Sequence, residues 1–94
     1  MKNQFVKVTH QNHEILEIWE GINQDGRKGY FVIARNPHRL RHQYEWGAFY
    51  NMEDGCWGFG HYDFETLSQA RKDMLFVYSA YELDLIVKNN LGGF

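Results

Sequence analysis

Two Asp-Gly dipeptides, Asp25-Gly26 and Asp54-Gly55, do most to limit what this chain can fold into. Asp-Gly supplies the positive φ angles of a type I′ hairpin turn, and a tight hairpin makes its two strands antiparallel neighbours. Each dipeptide lies between runs of β-branched and aromatic residues, the composition of strands. Ahead of the first, Phe5-Val6-Lys7-Val8-Thr9 alternates as a short strand and His10-Gln11-Asn12-His13 is polar enough to turn the chain. Glu14-Ile15-Leu16-Glu17-Ile18-Trp19-Glu20 reads as the next strand, although its acids at 14, 17 and 20 also fit a short helix. Between the dipeptides, Gly29-Tyr30-Phe31-Val32-Ile33-Ala34-Arg35 is nearly continuous in apolar residues, as expected of a central strand buried on both faces. Asn36-Pro37 ends it, since proline cannot donate to a ladder. After a polar loop over 38–43, Tyr44-Glu45-Trp46-Gly47-Ala48-Phe49-Tyr50 forms a further strand.

Past the second dipeptide, Cys56-Trp57-Gly58-Phe59-Gly60-His61-Tyr62 reads as the last strand. Alternation puts Trp57 and Phe59 on one face, and the glycines leave the other face open to a helix or a ligand. The period then changes. Thr66-Leu67-Ser68-Gln69 matches a capping box, and Leu67, Ala70, Met74, Val77, Tyr78, Tyr81 and Leu85 recur at spacings of three and four. A second capping box, Ser79-Ala80-Tyr81-Glu82, predicts a break near Ser79 and a shorter helix to about Asn89, stopped by Asn89, Asn90, Gly92 and Gly93. Strands followed by helices define an α+β fold. The expectation is one domain over residues 1–94: an antiparallel β-meander of four to five strands packed against one or two C-terminal α-helices.

Composition narrows the function classes. Net charge is −2, which disfavours a generic nucleic-acid coat and equally a strongly acidic mimic of nucleic acid. Charge is segregated along the chain. Arg27, Lys28, Arg35, Arg39 and Arg41 lie between residues 26 and 43 without an acid, whereas residues 53–94 hold seven acids against three bases. Aromatic residues make up 17%, a content that serves core packing and stacking contacts alike. The single Cys56 excludes an internal disulfide, and residues 1–5 lack the apolar stretch of a signal peptide. No run approaches the roughly 20 apolar residues that span a bilayer. These features point to a cytoplasmic protein without a membrane partner.

Chemistry-bearing patterns are sparse. His10 and His13 have H-x-x-H spacing, and Cys56 and His61 lie on or near one strand. A zinc site needs three or four converging ligands, which this inventory supplies poorly, so no metal or other cofactor is expected. Cys56 beside a histidine could act as a nucleophile, but a lone cysteine next to Trp57 reads more simply as a small hydrophobe. The strongest candidate is the basic loop. Arg35, His38, Arg39, Arg41 and His42 cluster around Pro37 and are flanked by Tyr44 and Trp46. Arginine beside aromatics suits phosphate contact with base stacking, and equally an interface hot spot. The structural alternative is a solvated loop whose arginines pair with the acidic C-terminal helices.

The segment Trp57-Gly58-Phe59-Gly60-His61-Tyr62-Asp63-Phe64, followed by Leu67, Ala70 and Met74, resembles the strand-turn-helix ending of small proteins carried by phages and mobile elements, anti-CRISPR and anti-restriction proteins among them. The resemblance covers about twenty residues and carries no active-site motif. What it implies is a stand-alone binder that acts by occlusion. The leading expectation is therefore a non-enzymatic interaction protein. It would bind a larger protein or nucleoprotein complex through Arg35, His38, Arg39, Arg41, His42, Tyr44 and Trp46, and inhibition of a nucleic-acid-targeting host defence system is its most concrete form. Direct nucleic-acid binding by the same loop is the first alternative, and a small Cys/His enzyme or metal protein is the second. An exposed edge strand such as residues 5–9 could also pair two copies across a two-fold axis.

Overall fold

The computed structural model describes Thr9 and residues 11–89. Five strands and one helix follow in the order β1 (Glu14–Asn23), β2 (Lys28–Arg35), β3 (Tyr44–Ala48), β4 (Phe59–Phe64), α1 (Leu67–Val77) and β5 (Tyr81–Lys88). They form one antiparallel sheet with strand order β4-β3-β2-β1-β5. The fold is α+β, with a four-stranded meander as expected. The fifth strand returns to pair with β1, so α1 carries the chain from one edge of the sheet to the other.

The segment with competing periods, residues 14–20, is strand. Its acids do not mark a solvent stripe, because Glu17 is buried. A bulge between Ile15 and Glu17 resets the alternation and turns Glu17 towards the helix face. There its carboxylate accepts from Arg71 Nη2 at 2.5 Å, Arg71 Nε at 3.2 Å and Trp19 Nε1 at 3.0 Å. This contact pins α1 to β1. A second pin lies on the other flank of α1, where Asp73 accepts from Trp46 Nε1 at 2.8 Å and contacts His61 Nδ1 at 2.6 Å.

β2 is the central strand that its apolar run predicts: Phe31, Val32, Ile33 and Ala34 are fully buried. Phe31 and Ile33 join Trp46, Ala48, Ala70 and Met74 beneath the helix. Val32 joins Ile15, Ile18 and Tyr50 on the opposite face, where the connection after β3, not a helix, supplies the cover. The N-terminus of α1 is capped as its sequence requires. Thr66 accepts from the Gln69 amide at 3.1 Å, and the Gln69 side chain reaches back one residue further than the cap, to the Glu65 amide at 3.0 Å.

Four expectations need correction. The first turn is not type I′. Only Gly26 has positive φ, at 83°, and its N–H donates to Asn23 O at 3.0 Å. That is a type I turn closed by a left-handed glycine, the three-residue hairpin loop. β4 starts at Phe59, not Cys56: Cys56 pairs instead with Asn51 in an isolated bridge, and the chain rejoins β3 where Gly58 N–H donates to Ala48 O at 3.0 Å. Trp57 and Phe59 do not share a face. Phe59 lies edge-on to Trp46 on the helix side, whereas a Cβ on Gly47 would sit 2.2 Å from the Trp57 ring. The bare glycine face is thus filled by Trp57 itself, not by a helix or ligand.

The fourth correction is the second helix, which is β5. Tyr81, Leu83 and Leu85 alternate with Glu82 and Asp84, and the free edge of β1 offers a ladder to a segment rich in β-branched and apolar residues. A local capping box at Ser79 cannot outweigh that pairing. Asn89 does not end a helix either. Its N–H donates to Leu16 O at 2.9 Å, and its side chain donates to Ile15 O at 3.0 Å. The expected strand at residues 5–9 lies outside the described residues except for Thr9, as do His10, Asn90, Gly92 and Gly93.

Candidate functional site

The loop from Asn36 to Gln43 joins β2 to β3 at one end of the sheet. Local chemistry shapes it. The Asn36 side chain accepts from the His38 amide at 3.0 Å, the turn geometry that an Asn-Pro step favours. Asn36 N–H donates to Gln43 O at 2.7 Å, closing the base, and Arg39 N–H donates to Asn36 O at 3.3 Å. Gln43 Nε2 donates to Arg39 O at 2.6 Å across the interior, and Arg39 Nε donates to Arg41 O at 3.4 Å. His42 takes a left-handed backbone, φ 53°, to bring the chain back to the sheet. The loop is therefore ordered by its own polar groups.

The seven candidate residues do not act as one surface. Arg35 is bound to Glu14 of β1, with Nε at 2.9 Å and Nη2 at 2.7 Å from the same carboxylate oxygen. Trp46 is fully buried under α1 and is a core residue. Tyr44 is half-buried against the same core. The stacking platform expected from Tyr44 and Trp46 is thereby spent on packing. His38, Arg39 and Arg41 are exposed and His42 is half-buried. Arg39 Nη1 lies 3.2 Å from Asp63 of β4 in a solvent-exposed pair. Arg35 and Arg39 thus pair with β1 and β4. Elsewhere in the basic stretch, Arg27 lies over the Phe49 ring at 4.2 Å and Lys28 stands 3.9 Å from Glu20. Among the described residues Arg41 has no ion-pair partner.

Leu40 was missed by the sequence reading and is the most conspicuous residue of the loop. It is 97% exposed, between Arg39 and Arg41. The signal was present, as an apolar residue in a polar loop at a place where no strand or helix period calls for one.

At the root of the loop, His13 Nδ1 lies 2.5 Å from Glu45 Oε2, and both side chains are largely buried. Burial raises the Glu45 pKa above its ordinary value against the opposing effects of His13 and Arg39, and the Asp63 carboxylate raises it further. The His38 ring stands 6.5 Å from His13. Asp63, itself at φ 71°, completes the set.

Cys56 gives little support to nucleophilic chemistry. Desolvation and the neighbouring Asp54 carboxylate push its thiol pKa up, the wrong direction for a thiolate. Beside it, Tyr50 is buried and its phenol is pushed up to about 12, by desolvation first and by Asp54 and Cys56 after it. Among the described residues no group of three His, Cys, Asp or Glu side chains could hold a metal ion. Among them, too, no helix is long and apolar enough to cross a membrane. No protein-family model matches the chain, and neither does any curated protein or solved structure.

Proposed function

We propose that the protein is a non-enzymatic interaction protein that engages a larger protein or nucleoprotein complex through the tip of the β2–β3 loop. The observation that carries this reading is Leu40, presented at 97% exposure by a loop braced through its own hydrogen bonds. Burying a leucine side chain contributes about 1.5–3 kcal/mol. A loop already ordered in the free protein gives up little of that to immobilisation. Arg39 and Arg41 on either side fit a partner pocket that is apolar within and acidic at its rim. Binding at such a site acts by occlusion. The most concrete form, which rests on the resemblance of residues 57–64 and the start of α1, is inhibition of a nucleic-acid-targeting host defence complex in the cytoplasm.

Capture from host lysate with and without nuclease, using the native chain and Leu40→Asp, tests the reading. The expected result is a stoichiometric protein that survives nuclease and is lost with Leu40→Asp. Equal capture by the variant would overturn it. Material that disappears on nuclease treatment would favour direct nucleic-acid binding by Arg39 and Arg41 instead, and its affinity should then fall with salt at a log–log slope of roughly −0.9 per duplex phosphate neutralised.

A further inference from the structure

β5 is the terminal strand of the sheet and pairs only with β1 among the described residues. Its backbone phase follows from the β1 ladder. Asn23 N–H donates to Arg27 O, towards β2. By alternation Gly21 and Trp19 also direct their N–H and C=O groups to β2. Their partners Tyr81, Leu83 and Leu85 therefore turn their own N–H and C=O groups outward, to the edge that no described strand covers. The Tyr81 N–H is taken by Tyr78 O at 2.9 Å, while the outward groups of Leu83 and Leu85 meet no strand among the described residues.

The two faces of this edge differ in chemistry. A Cβ on Gly21 would meet both Leu83 and Phe31, so Leu83 lies on the helix side, with Leu85 two residues on. Glu82 and Asp84 lie on the opposite side, with Asp84 directly across from Glu20. Both acids are exposed, and neither has an ion-pair partner among the described residues.

A second copy of this chain is a poor occupant. A two-fold axis at Leu83 sets Glu82 against Asp84, and an axis at either acid sets it against itself. Only an axis at Leu85 would bring Glu82 opposite Lys88. The pairing shift between Ile18 and Trp19 makes Ile86 an extra residue there, which throws the outward groups on its two sides out of phase.

We propose that the β5 edge over residues 81–85 is a strand-addition site for a partner segment of alternating basic and apolar residues. The basic side chains lie against Glu82 and Asp84, the apolar ones continue the row of Leu83 and Leu85, and main-chain hydrogen bonds supply the common term. The carboxylates that oppose self-pairing select for cationic strands. This inference is independent of the Leu40 reading.

The probe is a synthetic peptide alternating lysine and valine. It is compared with a glutamate–valine peptide and with the lysine peptide N-methylated at alternate backbone nitrogens. Amide hydrogen exchange in the native chain should slow at least tenfold at Leu83 and Leu85 with the lysine peptide. N-methylation should weaken binding at least tenfold, as should Glu82→Lys with Asp84→Lys. The peptide comparison needs no variant to fold. Unprotected Leu83 and Leu85 amides, or equal binding of the N-methylated peptide, would overturn the proposal in favour of non-specific charge attraction. A dimer in sedimentation of the chain alone that excludes the peptide would overturn it in favour of self-pairing.

Discussion

The two connections that flank β3 are opposites in structure, although both read from sequence as turn-rich segments beside aromatic residues. The β2–β3 loop holds itself together and stands away from the sheet. Its hydrogen bonds run from the His38 amide to Asn36 and from Gln43 to Arg39, and its apolar residue points into solvent. The connection from Phe49 to Gly58 folds back. Its polar groups tie the Asn51–Cys56 turn, while Tyr50 and Trp57 close over the sheet face opposite the helix. The difference lies in what the sheet offers. Gly47 and Gly60 leave a trough that accepts the Trp57 indole, whereas the loop after Pro37 bonds to itself. Aromatic content alone therefore does not identify a binding loop. Here Tyr50 and Trp57 of one connection close over the core, whereas the proposed contact surface on the other is Leu40 with its flanking arginines.

The largest test of the contrast removes the lid. Trp57→Ala should leave the Gly47–Gly60 trough empty and destabilise the fold by about 3 kcal/mol, within the range for large aromatic truncations. Urea unfolding would read this as a lower midpoint. A change below about 0.5 kcal/mol would mean that Trp57 lies on the surface without supporting it, and the two connections would no longer differ in kind.

This contrast also marks what could be read from sequence. Strands β1 to β3 were legible because their signals are local: the Asp25-Gly26 turn, the Phe31–Ala34 run and the stop at Pro37. The start of α1 was legible from Thr66 and Gln69. β5 was not, because Tyr81, Leu85 and the capping box at Ser79 continue a helical period, and only the free edge of β1, distant in sequence, makes the segment a strand. The placement of the candidate residues was legible in part. Arg39 and Arg41 are exposed, but the fates of Arg35 and Trp46 depend on Glu14 and Asp73, which the sequence places far from them. Leu40 has no periodic pattern around it, so a method based on periodicity passes over it.

A smaller effect is expected at the root of the projecting loop. The Glu45 pKa is raised in the fold, mainly by burial, so the folded protein binds this proton more tightly than the unfolded chain does. Stability from this group is full below its ordinary value of 4.5 and falls as pH rises through the window up to the folded pKa. Glu45→Gln removes the titration. In urea unfolding across that window, the native chain should lose stability relative to Glu45→Gln as pH increases. Parallel curves would show that the His13 contact fully offsets the desolvation.

The smallest expected change in stability is at Leu40, and its smallness makes it informative. Leu40→Ser removes a side chain that packs on almost nothing, so its unfolding free energy should stay within about 0.5 kcal/mol of the native value. The internal bonds of the loop use backbone and polar groups, none of them from the Leu40 side chain, so its shape should persist. If Leu40 is the anchor, partner affinity should fall at least tenfold while stability does not move, since about 1.4 kcal/mol of lost burial at the interface suffices for that. Trp57→Ala must show the reverse once its lower stability is allowed for: a damaged fold with the loop tip still competent to bind. Loss of stability at Leu40 would mean that the loop packs against the sheet in solution, and the contrast between the two connections would fail at its stronger end.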